Sequence, residues 1–285
     1  MSEVHHISEL DKLFLEVGTY KKGEDYKDLL DFVKKFPKMA PYNAMLLHVQ
    51  KPGSSFVASA YEWQSRYRRR PKPGARPLVI LRPFGPVAFV FELGDTEGKP
   101  FPKELLEPFS TVGNISQRKL DGFLADLYTE GIVSIQQDYG TSMAGYVEST
   151  NEVINYGTNE KPKLIRILFN IILNSKLEPT DKIATAFHEL GHVFCGHILH
   201  KNVKWLPQWR SLSINEKEFE AESVCWLLCE RLGIDNPSAQ YLSGYLNYND
   251  EIPLVSIDTI LKAVGMIEKI LDGNNRIRKE LLIKG

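Results

Sequence analysis

The sequence predicts an α+β fold in two parts, a small N-terminal α+β module over residues 1–110 and a larger domain over 111–285. Three observations predict it. Helix-period stretches in the first third give way to two short runs rich in β-branched and aromatic residues, "LVILRP" and "VAFVFEL". A stretch carrying glycines and prolines, "GDTEGKPFPKEL", then reads as a connector. Beyond it, four short strand-like runs precede two long helices whose polar residues can converge.

Taken in order, "ISELDKLFLEV", "DYKDLLDFVKKF" and "APYNAMLLHVQ" place apolar residues three and four apart and are expected to be helices. Phe84, Gly85 and Pro86 suit a tight turn between the two strand-like runs. A helix is expected near 118–130, followed by strands in "IVSIQQ", "AGYVES", "EVINYG" and "IRILFNIIL". In the next helix Ile183, Phe187, Leu190 and Phe194 form an apolar stripe, with Thr180 or Asp181 able to cap its start after Pro179. Ser213 with Glu216 makes a capping-box pattern and Gly233 sits where a helix-ending glycine belongs, so 214–232 should be helical. A last helix should run from about 257, after Ser256, to 272, before Gly273.

With 43% apolar and 25% charged residues, the 285-residue chain has the composition of a soluble globular protein. No charged segment followed by an apolar one opens it, and "LIRILFNIIL" carries Arg166 and is too short to cross a bilayer. A cytoplasmic protein without a membrane partner is expected. Cys195, Cys225 and Cys229 are an odd set without a CxxC spacing and read as buried thiols. The net charge of −1 conceals an asymmetry: residues 34–90 hold eleven Lys and Arg against one acid, Glu62. Such a bias points to a polyanion-binding part joined to a part with another task.

The stretch "TAFHELGHVF" contains His188, Glu189 and His192 in the order HExxH. Four residues apart on a helix, two imidazoles share a face and can hold zinc, with the glutamate between them as general base. With 7 His in 285 residues, chance gives this pattern roughly 0.014 times. Catalytic zinc takes three protein ligands and keeps one open position. The sixth residue after His192 is Ile198, so a third histidine at the HExxHxxGxxH spacing is absent. A glutamate from "EKEFEAE" is the remaining common solution. Glu218 and Glu222 share a face of that helix, and Glu220 points nearly the opposite way. Glu218 is the first choice as ligand, leaving Glu222 to accept a ligand histidine's other N–H, and the two assignments can be exchanged. Taken alone, the cluster also reads as a solvated face near a helix N-terminus. Gly191, costly inside a helix, makes sense if another backbone approaches closely. Tyr146 and His197 are candidates for stabilising an oxyanion, although His197 also suits the surface or a structural hydrogen bond.

Through HELGH, the "EFEAE" helix and the N-terminal stretches "YNAMLLHVQKP", "YEWQSRYRRRPKPGARPLVILRP" and "VFELGDTEGKPFP", the chain resembles the ArdC-like antirestriction proteins, with a C-terminal part similar to ImmA/IrrE metallopeptidases. The resemblance implies an N-terminal domain that binds single-stranded DNA, a gluzincin-like metallopeptidase domain and a link to mobile elements. It places the metal ligands at His188, His192 and Glu218, with Glu189 as base. Where the family reads as a glycine-bearing "GRxVxKG", this chain has "RYRRRPKPG". Independently of that resemblance, Arg66, Arg68, Arg69, Arg70, Lys72 and Arg76 are candidates for phosphate contacts, and Tyr42, Tyr61, Trp63 and Tyr67 for stacking on bases. The expected function is a zinc-dependent peptidase acting on a protein or peptide substrate and directed by single-stranded DNA. The alternatives are a non-proteolytic DNA-binding antirestriction protein using zinc structurally, and a regulator-cleaving factor whose basic surface is incidental.

Overall fold

The structure is a computed structural model, and it describes residues 23–283 apart from 83–86, 103–105, 107–114, 141–142, 159–161, 201–202, 235–241, 243–251 and 274. The helix expected in "ISELDKLFLEV", the turn at Phe84 to Pro86 and part of the connector lie outside the described residues.

Two helices open the described chain, α1 (Gly23–Lys34) and α2 (Pro41–Gln50). A three-stranded antiparallel sheet follows, in which β4 (Ala88–Glu92) lies between β1 (Val57–Ala58) and β3 (Leu78–Ile80). Between β1 and β3 stands α3 (Ala60–Tyr67), a helix beyond those expected from the apolar periodicity. Its cause is a capping box: Ser59 Oγ accepts from the Glu62 backbone N–H, and the Glu62 carboxylate accepts from the Ser59 N–H. After Arg68, β2 (Arg69–Pro71) pairs antiparallel with β5 (Thr96–Gly98).

In the second half, α4 (Gln117–Asp126) leads into a mixed sheet. Its centre is β10 (Phe169–Asn174), buried at all six positions, parallel to β6 (Ile132–Gln137) and antiparallel to β7 (Gly145–Ser149). The run "IRILFNIIL", expected as one strand, is divided. Ile167 N–H donates to Glu152 and Leu168 N–H to Gly131, which turns the chain between β9 (Leu164–Arg166) and β10. β9 instead pairs with β8 (Val153–Asn155).

Among the described residues three long helices follow: α5 (Pro179–Phe194), α6 (Ile214–Leu232) and α7 (Ile257–Leu271). α5 begins earlier than expected, with Glu178 at the N-cap and Pro179 as first residue, so Thr180 and Asp181 lie inside the helix and do not cap it. α6 has the expected bounds, capping box and left-handed Gly233. A continuous apolar core runs through α1, α2, the sheet around β10 and helices α4 to α7. Arg231 of α6 ties the first helices to it: its guanidinium donates to the carbonyls of Val33, Phe36 and Met39 and pairs with Glu268 of α7. The first helices of the segment 1–110 therefore share the core of the segment 111–285. No described helix is long and apolar enough to cross a membrane.

Candidate metal centre

The site is set where α5 crosses α6. Ile183, Phe187, Leu190 and Phe194 point into the core, which turns His188 and His192 toward α6. Gly191 permits the crossing: a Cβ there would lie 3.0 Å from Ala221 Cα and 3.2 Å from Ala221 O. The sequence expectation of a close backbone approach is met by these contacts.

At the crossing, Nε2 of His188 lies 3.1 Å from Nε2 of His192. Glu218 Oε2 lies 3.4 Å from His188 Nε2, and Glu218 Oε1 lies 3.6 Å from His192 Nε2. A tetrahedral ion bonded at about 2.0–2.1 Å needs ligand atoms about 3.3 Å apart. The donor set therefore fits a divalent cation in both chemistry and spacing. Nδ1 of His188, on the far side of its ring, lies 3.3 Å from Glu222 Oε1. Glu218 thus faces the convergent nitrogens, and Glu222 faces the opposite nitrogen of one of them.

The electrostatics follow from this packing. Burial would lower the pKa of His188, but hydrogen bonds with Glu218 and Glu222 and the nearby carboxylates outweigh it and hold the group up at about 10. Burial, opposed by His188 and reinforced by Glu218 and Glu222, raises Glu189 to about 7, within reach of a general base's task. Burial and the neighbouring His188 and His197 push His192 down to about 3.

Three further groups were singled out in the sequence. His197 is not placed as an oxyanion donor: its Nδ1 lies 2.9 Å from His192 Nδ1 and its Nε2 lies 2.9 Å from Glu220 Oε2, so both nitrogens are engaged in a buried structural contact. Tyr146 lies on β7, with its hydroxyl 3.4 Å from that of Tyr139. β7 is an outer strand of its sheet, and Gly145 packs against Thr185, one turn before His188. Cys195, Cys225 and Cys229 are buried thiols, and Cys225 donates to the Ala184 carbonyl.

The candidate nucleic-acid residues divide sharply. Arg66, Arg68, Arg70, Lys72 and Arg76 are exposed, as is Tyr61, at 79%. Arg69 faces inward and donates to Thr96 Oγ1 at 2.9 Å and to the Thr96 carbonyl at 2.8 Å, clamping β2 to β5. Trp63 requires a correction: it is wholly buried, its indole N–H donates to the Phe91 carbonyl, and it presents no face to a base. Its ring forms an aromatic cluster with Phe56, Tyr67 and Phe101. Tyr42 is half-buried against the core. The residues that sequence reasoning left without a role are Glu220 and Arg210, whose guanidinium lies 2.6 Å from Glu220 Oε2.

No protein-family model matches the chain, and no match is found among curated proteins. Among solved structures, two of the antirestriction ArdC protein from R388 plasmid are similar. The Mn(II)-bound structure is 17% identical, with a TM-score of 0.36, covering 87% of this chain and 96% of that one. The metal-free structure is 16% identical, with a TM-score of 0.34, covering 87% and 95%. At such scores the likeness carries no argument about the site, whose reading rests on its own geometry.

Proposed function

We propose that the chain is a zinc-dependent metallopeptidase-like protein, with His188, His192 and Glu218 as ligands and Glu189 as general base. The observation that carries the reading is the convergence of two imidazole Nε2 atoms and one carboxylate at 3.1, 3.4 and 3.6 Å. Zinc held there would supply a Lewis acid for a carbonyl oxygen and acidify a water molecule. The chain's own residues do the rest. Glu189, between the two histidines on α5, would take and return the proton. Glu222 accepts the His188 Nδ1–H, so Nε2 of that ring would be the nitrogen offered to a cation. The outer edge of β7 beside α5 suits an extended peptide added as a strand.

The exposed Arg66, Arg68, Arg70, Lys72 and Arg76, with Tyr61 beside them in sequence, support a polyanion-binding surface on the N-terminal part. The sequence resemblance to ArdC-like antirestriction proteins makes single-stranded DNA the ligand of choice and links the protein to antirestriction.

The test is Glu189→Gln assayed on a mixed peptide library together with metal analysis. Zinc near one per chain should persist while peptide hydrolysis falls by at least about 100-fold. Hydrolysis at the wild-type rate would remove Glu189 from the chemistry. A zinc-loaded wild type that cleaves nothing, yet still protects DNA as the variant does, would favour the reading in which the ion is structural.

A further inference from the structure

His192 enters a second, buried set of groups through the ring nitrogen that faces away from the metal centre. Its Nδ1 lies 2.9 Å from His197 Nδ1, and His197 Nε2 lies 2.9 Å from Glu220 Oε2. The side chains of His197 and Glu220 are 1% and 0% exposed. Glu220 also accepts from Arg210 Nη1 at 2.6 Å and from the Ser256 backbone N–H at 2.8 Å.

We propose that Glu220 and His197 are positioning residues that fix the tautomer of His192, holding its proton on Nδ1 and its lone pair on Nε2, toward His188 and Glu218. This deepens the metal-centre reading and rests on it. The hydrogen-bond directions follow one another. Two fixed donors, the Arg210 guanidinium and the Ser256 backbone N–H, meet Glu220, so its carboxylate is an acceptor. His197 Nε2 must therefore carry a proton. A neutral imidazole has one donor and one acceptor, so His197 Nδ1 is bare and can only accept. At 2.9 Å the partner nitrogen, His192 Nδ1, must then donate. In neutral His192 that leaves Nε2 unprotonated, which is the form a cation requires. Glu222 does for His188 directly what Glu220 does for His192 through an intervening ring.

The fold builds this chain of contacts close to the end of α5. Gly196, at φ +75, reverses the chain so that His197 returns to His192, and a Cβ there would lie 2.6 Å from Gln208 O. Arg210 N–H donates to Gly196 O, which anchors the segment that delivers the guanidinium. Ser256 is the N-cap of α7, so a third element meets the same carboxylate. Cys195, His197 and Glu220 also lie close enough together to be considered as a cation site. Arg210 occupies the Glu220 oxygen that such an ion would need, and both His197 nitrogens are already engaged, so the geometry favours the relay.

The experiment combines ring ¹⁵N shifts of the metal-free wild type with zinc affinity by chelator competition in His197→Phe and His197→Gln. The expected wild-type spectrum shows His192 protonated at Nδ1. The His197→Phe variant keeps a ring but no acceptor, and zinc should bind about 10–100-fold more weakly. The His197→Gln variant can accept with its amide oxygen and donate with its NH₂, and should restore most of that loss. His192 protonated at Nε2 in the wild type, or a folded His197→Phe with wild-type affinity, would overturn the proposal. So would two zinc ions per chain, one of them lost in His197→Phe, which would make Cys195, His197 and Glu220 a second site. If His197→Phe does not fold, the wild-type ring shifts decide alone. A wild type that binds no zinc but holds the proton on His192 Nδ1 would sink the metal-centre reading and leave the relay standing.

Discussion

Replacing Gly191 by alanine sets two effects of opposite sign against each other. Within a helix, Gly to Ala is ordinarily stabilising by about 0.8–1 kcal/mol. Here the new Cβ would lie 3.0 Å from Ala221 Cα, 3.2 Å from Ala221 O and 3.3 Å from Ala221 Cβ, where relaxed carbon contacts lie at about 3.5–4.0 Å. Two of those atoms are backbone of α6, whose Phe219, Val224 and Leu228 are fully buried, so no side chain can swing aside. The helices must part by a few tenths of an ångström, and overpacking of this kind costs about 1–3 kcal/mol. The net expectation is a loss of about 0–2 kcal/mol in urea unfolding at unchanged m-value. Gly191 lies between His188 and His192 on α5, and Ala221 between Glu218 and Glu222 on α6, so the separation enters the ligand spacing directly. Zinc should bind on the order of tenfold more weakly. Gly122→Ala in α4 is the control, because nothing lies within 4 Å of its added Cβ. It should gain about 0.5–1 kcal/mol. If Gly191→Ala is stabilised as much as the control and binds zinc as the wild type does, the close crossing does not constrain the site.

The remaining predictions concern charge. His188 is held up at about 10 in the protein alone, so zinc must displace a proton from it, and affinity should rise by up to about tenfold per pH unit between pH 7 and 9, read by competition titration. The same raised pKa means that stability from His188 is fully present below its unfolded pKa of about 6.5 and is lost as pH rises toward about 10. Metal-free protein should therefore lose stability from this group between pH 7 and 10 in thermal melts. Arg231→Met should cost about 3–5 kcal/mol, because it strands Glu268 and the carbonyls at the end of α1 and in the turn that leads to α2, measured by chemical denaturation. Arg66, Arg68, Arg70 and Lys72 changed to Glu should weaken single-stranded DNA binding and flatten its log–log salt slope by about 0.7 for each phosphate no longer neutralised. Arg69→Glu should instead lower stability by breaking the clamp between β2 and β5.

Sequence signals were sufficient where a local rule fixes a local structure. Ser213 and Glu216 form their capping box and start α6 at the expected residue. The same rule holds at Ser59 and Glu62, where the basic run that follows masks the helix that the box begins. Within that run, charge alone did not distinguish Arg69 from Arg70. Strand alternation does: in β2, Arg69 turns inward to Thr96 while Arg70 points out to Glu97. Trp63 shows the opposite limit, since an aromatic beside arginines reads as a stacking platform until the Phe91 carbonyl and three aromatic rings are found around it. The pairing of His197 with Glu220 depends on a left-handed glycine and on Arg210 arriving from a separate segment, neither of which has a period to detect.

The acids of α6 show why a regular pattern was both informative and incomplete. Glu216, Glu218, Glu220 and Glu222 fall at every second position, and two residues advance a helix by about 200°, so alternate acids take opposite faces. Glu218 and Glu222 meet the two nitrogens of His188 on one face. On the other, Glu216 closes the cap, while Glu220 is buried among His197, Arg210 and Ser256. A solvated acidic face does not explain this arrangement, because burying Glu220 without its three donors would cost several kcal/mol. The donors are present, and one of them reaches His192. The face that points away from the metal centre thus helps to determine what that centre presents to an ion.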